Sequence, residues 1–99
     1  MNVKVLKKQK EEVLNHIIKV YKNEINKLWE KIKQIDLSTN LSDPKTYIYE
    51  IPNFILGEPQ YDKTVLFGLV KRRLKRGNFI YKPFISNDTY FILIDWTNL

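Results

Sequence analysis

Few residues in this chain have the types and spacing that chemistry needs. His16 is the only histidine, and cysteine is absent. Three carboxylates, Asp62, Asp88 and Asp95, stand beside aromatic, basic or turn-forming residues in the second half. An acid or base in catalysis needs neighbours that move its proton affinity toward the working pH. Asp62 is better placed to cap a helix starting at Lys63, because its carboxylate can accept from the free amides of a first turn. Asp88 falls in Ser86-Asn87-Asp88-Thr89, short polar side chains that bond local backbone and suit a turn. Asp95 follows an apolar run beside Trp96 and is the one carboxylate expected to be half-buried. His16 has neither a carboxylate pair nor a thiol near it, so a solvated imidazole is expected rather than a metal ligand. Gly57, Gly68 and Gly77 are isolated and form no phosphate loop, and there is no nucleophile elbow. These absences describe a non-enzyme without cofactor, metal or small-molecule substrate.

What remains is a binding chemistry of charge and apolar surface. Lys71, Arg72, Arg73, Lys75 and Arg76 crowd one short stretch. Leu66, Leu69, Val70 and Leu74 share one face of the same segment at three- and four-residue spacing, which predicts a helix over 63–76. The cations then sit in its last turns, where they favour the negative end of the helix dipole. Gly77 is expected to end the helix in the left-handed conformation. Lys71, Arg72, Arg73, Lys75 and Arg76 are the residues expected to meet an anionic partner, nucleic acid included. Lys-rich faces equally serve solvation.

The elements around this helix follow from pattern. Phe79-Ile80-Tyr81 and Tyr90 to Ile94 with Trp96 are β-branched and aromatic runs that predict a hairpin. Pro83 cannot donate to a ladder, so the first strand is expected to be an edge there or to end near it. Ile92-Leu93-Ile94 is apolar without alternation, which predicts a strand covered on both faces by a helix or a partner. Thr46 to Ile51 alternates like a third strand, ended by Pro52. Three strands are about the minimum for a stable sheet packed on a helix.

Before them, Leu14, Ile18, Tyr21, Ile25, Leu28, Ile32 and Ile35 recur at four- and three-residue steps. That seam predicts a long helix ending by Asp36–Leu37, at the breaker cluster Ser38-Thr39-Asn40. Backward the seam breaks at Glu11 and Lys7, so the first dozen residues are expected to fray or face solvent. Val13, Ile17, Val20 and Trp29 widen the stripe beyond a strict heptad, favouring packing within a globule or bundle over a bare coiled coil. Both outcomes remain open on pattern alone. Ile18, Ile25, Leu28, Trp29 and Ile32 are the residues expected at a protein interface.

Ninety-nine residues make a single α+β domain: a long N-terminal helix, a second basic helix, and a small antiparallel three-stranded sheet with a C-terminal hairpin. Residues 1–37 form an amphipathic helix able to oligomerise, and 38–99 a small α+β module. The net charge of +6 is uneven, with nine Lys against four Glu in residues 1–35 and seven Lys and Arg against three Asp in residues 61–99. The missing cysteines suit a reducing compartment. No signal sequence is expected, nor any segment of the roughly 20 apolar residues that span a bilayer.

The stretch Tyr49-Glu50-Ile51-Pro52-Asn53-Phe54-Ile55-Leu56-Gly57-Glu58-Pro59-Gln60-Tyr61-Asp62 resembles a group of small proteins of nucleocytoplasmic large DNA viruses. The likeness extends through Gly77, Phe79 to Tyr81, Pro83 and Ile92 to Trp96, so it spans Tyr47 to Trp96. The resemblance implies a virion- or capsid-associated structural role, in the virion or the host-cell cytoplasm, with other viral structural proteins or a second copy as partner. A winged-helix-like nucleic-acid binder, using helix 63–76 and the hairpin, is the alternative. Against it, residues 36–60 supply no short helix ahead of the basic one.

Overall fold

In the computed structural model, which describes residues 3–99 and side chains from 11 onward except Val13, the chain is α+β with the element order expected. Helix α1 runs Val3–Ser38, strand β1 Thr46–Glu50, helix α2 Lys63–Arg76, strand β2 Ile80–Ser86 and strand β3 Thr89–Asp95. The expected fraying of the first dozen residues is corrected from Val3 onward, where the backbone is helical, and Glu11 and Glu12 face solvent as the alternative had it. The side chains before residue 11, and Val13's share in the stripe, lie outside those described.

The sheet is antiparallel in the order β1-β3-β2, so the last strand lies at its centre. The hairpin turns on Asn87 and Asp88, both with positive φ (49° and 60°). That backbone matches the right-handed twist of paired strands, and Asn and Asp tolerate it well. Pro83 stands in β2, an edge strand that continues past it to Ser86.

Asp62 caps α2 as its position suggested, accepting from the Thr64 amide at 2.9 Å. The far end of the helix differs from expectation. Gly77 has φ −82°, and the left-handed residue is Asn78 at φ 60°. The amides of Gly77 and Phe79 close the helix on Arg73 and Leu74 carbonyls. Glycine is required at 77 for space instead. A Cβ there would stand 2.7 Å from the ring of Phe79, which is held by Trp29 at 5.2 Å and Trp96 at 6.1 Å between centroids.

Both helices cover one face of the sheet. Val20, Leu28 and Ile32 of α1, Leu66, Val70 and Leu74 of α2, and Tyr49, Ile92, Ile94 and Trp96 from the sheet side form one core with Ile51 and Tyr61. α1 therefore packs within its own chain over its C-terminal half, and the 37/38 boundary does not divide one core from another. Tyr21 beside Asp62 and Trp29 beside Arg73 show that α1 and α2 run side by side in the same direction. On α1's other flank, the 52–60 loop brings Glu58 to His16 at 2.8 Å. Asp36 ties the end of α1 to the sheet, accepting from Lys45 Nζ at 2.8 Å and Trp96 Nε1 at 3.2 Å. These two bonds, the lysine's first, hold its carboxyl below the usual carboxylate range.

Inside this core lies a charged group that periodicity hides. Glu24 is buried, accepting from the Tyr49 hydroxyl at 3.2 Å and from Lys27 Nζ at 3.3 Å. Burial, with the Glu24 charge next, pushes the Tyr49 phenol far above its ordinary 10.0. Burial first, then Glu24 and Tyr21, push Tyr61 up to about 12. Both folded-state values are raised, so the stability they contribute is complete below pH 10 and lost as the pH climbs through the folded values. Raising the pH from 10 toward 12 should therefore lower the urea midpoint steadily. In an ultraviolet titration, two of the six tyrosines should ionise well above pH 10, Tyr49 the later of them. Six tyrosines titrating together near 10 in the folded state would refute the assignment.

Candidate binding surfaces

The cationic end of α2 is exposed and built on an apolar floor. Arg72, Arg73 and Arg76 line a hollow of ≈ 180 Å³ with Ile25 and Leu69. The Arg73 guanidinium lies 5.7 Å from the Trp29 ring, and Lys71 Nζ 4.5 Å from the Phe67 ring. Such contacts are favourable and fix the cations in place. Lys75 is exposed. Among the described residues the ion pairs are His16–Glu58, Lys27–Glu24 and Lys45–Asp36, so none of the five cations in the last turns of α2 is paired. The sequence-predicted anionic site is thus gathered at one helix end, although Lys71 turns toward Phe67 and away from the three arginines' hollow.

The hairpin does not extend that charge. Its tip is Asn87-Asp88, and its one lysine, Lys82, lies in register with Leu93 on the other face of the sheet. Lys63 is engaged by the Asn53 side chain at 3.1 Å and the Asp88 carbonyl at 2.5 Å. The 51–62 segment has turns but no helix.

The opposite face of the sheet is apolar and open. Of the two covers expected for the second face of Ile92-Leu93-Ile94, a helix of the chain or a partner, the first is corrected, because the three residues are 0, 37 and 0 % exposed. Both helices lie on the Ile92 and Ile94 side, and among the described residues no element packs over Leu93. Register places Ile48, Leu93 and Lys82 in one row across this face, and Glu50, Phe91 and Phe84 in the next. The Phe84 and Phe91 rings stack at 5.1 Å, nearly parallel. Ile48, Ile80 and Phe84 are 55, 65 and 39 % exposed. Their signal was present in sequence as the alternate residues of each strand, but an apolar run in β3 disguised the alternation.

The five α1 residues expected at an interface divide. Leu28 and Ile32 are buried in the chain's own core, which corrects their assignment to a partner, since they face the sheet and α2. Ile25 and Trp29 are half-buried against α2, with Ile25 at the rim of the arginine hollow. Ile18 is half exposed, like Leu14 before it.

The carboxylates hold turns. Asp62 and Asp95 each accept from a threonine hydroxyl and amide two residues on, and those bonds lower both below the ordinary range. No group of three His, Cys, Asp or Glu stands close enough to hold a metal among the described residues. Among the described residues no helix is long and apolar enough to cross a membrane.

The fold defines a small α+β domain with two exposed surfaces of unlike chemistry, one cationic and one apolar. Comparison with protein-family models, with curated proteins and with solved structures finds no match to this chain.

Proposed function

We propose that this chain is a non-enzymatic assembly protein that docks a protein partner on the outer face of its sheet. The observation that carries this is the uncovered apolar surface of Ile48, Ile80, Phe84, Phe91 and Leu93. Contiguous apolar patches of this kind mark contact sites in soluble domains. Arg72, Arg73, Lys75 and Arg76 would meet an acidic neighbour on the far side of the molecule. In the setting the resemblance implies, the role is virion- or capsid-associated in a large DNA virus.

The test is a substitution on the open face. Phe84→Asp should abolish the chain's complexes in size-exclusion chromatography, while circular dichroism shows the variant still folded. Complexes indifferent to Phe84→Asp would overturn the proposal.

The unpaired arginines also favour a second reading, a nucleic-acid binder with helix, strand, basic helix and hairpin in winged-helix order. Three guanidinium–phosphate contacts would give a log–log salt slope of about −3 on duplex DNA. A flat salt dependence would remove this reading, and the acidic hairpin tip at Asp88 already argues against it.

A further inference from the structure

We infer that the outer sheet face is closed by the same face of a second copy of this chain, about a two-fold axis parallel to the strands and lying over β3. This rests on the reading of that face as a docking surface, and it names the occupant.

Area comes first. Ile48, Ile80, Phe84 and Leu93, at 55, 65, 39 and 37 % exposed, present about 400 Å² between them, a size typical of the largest patch on a monomer. Two such faces, with Thr46, Glu50, Lys82 and Thr89 at their margins, would bury roughly 1,000–1,200 Å² in all, the lower bound for a specific interface. The face is a pleated three-stranded surface, and sheets stack on sheets about 10 Å apart.

Charge then selects the orientation. The flanking strands carry one charge each on this face, Glu50 on β1 and Lys82 on β2, one side-chain row apart. A two-fold axis across the strands would put β1 against β1 and β2 against β2. Each Glu50 would then sit beside the other Glu50, and each Lys82 beside the other Lys82. An axis along the strands puts β1 against β2. Leu93 stacks on Leu93 and Phe91 on Phe91, and each Glu50 comes one row, about 7 Å along the strand, from the other copy's Lys82. Across a gap of about 10 Å that separation is within the joint reach of the two side chains, and the symmetry makes two such pairs. The same axis sets Asp95 opposite the other copy's Asp95 at the end of the face, a like-charge contact eased because each carboxylate folds back on the Thr97 amide and hydroxyl at 2.9 and 2.6 Å. The cations of α2 lie on the opposite side of the molecule, so the net charge of +6 does not oppose this contact at short range.

Light scattering on the full chain over a concentration series tests the inference. The expected mass at high concentration is twice 11.9 kDa. Leu93→Lys, with Phe84→Asp as a second variant, should return a folded monomer by circular dichroism. Glu50→Lys and Lys82→Glu should each weaken association at least about tenfold, because each faces like charges. The double exchange Glu50→Lys/Lys82→Glu should recover it. A double exchange no better than the single ones would overturn the two-fold arrangement. A parent chain monomeric throughout would overturn self-association. If Leu93→Lys still removed a complex with a different protein, the docking face would stand with another occupant. If Leu93→Lys changed nothing in any mixture, the assembly reading would fall with the inference.

Discussion

Ile92→Ala should remove about 2–5 kcal/mol of stability, while Leu93→Ala, one residue along, should remove less than about 1. The two side chains are nearly equal in size and lie in the same strand. Ile92 is 0 % exposed, wedged between β1 and β2 and under both helices, so truncation leaves a cavity that close-packed neighbours cannot fill. Leu93 stands on the open face, and its truncation loses a little cross-strand contact with Ile48. Urea unfolding of both variants, in solution dilute enough to keep the chain monomeric, checks the contrast. Equal losses would mean that both faces of β3 are covered within one chain, contrary to the architecture described.

Tyr49→Phe should cost about 1–3 kcal/mol, although it removes only an oxygen. The Glu24 carboxylate lies under the core surface with two donors, the Tyr49 hydroxyl and Lys27 Nζ. Removing the hydroxyl leaves a buried acceptor oxygen without its bond, and the desolvation already incurred is no longer offset. Removing both members with apolar groups is milder, because no orphan remains. The double variant Glu24→Leu/Tyr49→Phe should therefore lose less than the sum of the single losses, by more than the roughly 0.5 kcal/mol scatter of independent sites. Strict additivity in denaturant melts would show that the pair does not interact.

Sequence pattern made the secondary structure legible because each element carries an unambiguous local signal. Asp62 before Lys63, the apolar spacing of Leu66, Val70 and Leu74, and Asn87-Asp88 between two aromatic runs each have one sensible structural outcome. Side-chain destination was legible where periodicity was clean and obscure where it was not. Ile92-Leu93-Ile94 has no polar residue to mark its outward member, so pattern left open whether a helix of the chain or a partner covers that face. Leu28 and Ile32 share a seam with Ile18, and spacing alone cannot say where along a 36-residue helix the body of the domain begins. Glu24 stands off the apolar seam and reads as solvent-facing, since its partner Tyr49 is 25 residues away. Gly77 was expected to serve backbone freedom, but its neighbour across the turn, Phe79, determines the requirement. The cationic site was the plainest, because five charges in six residues on one helix end up together whatever the rest of the chain does.

β1 and β2 are both borders of the sheet, and each is poorly suited to recruit another strand. β1 is five residues long. β2 carries Pro83, which in a border strand keeps its donorless nitrogen toward solvent. Short borders and prolines are how β-proteins avoid lateral growth into fibrils. With sideways extension blunted, a second copy seated on the broad open face, as inferred above, would complete a closed pair rather than begin an endless ribbon.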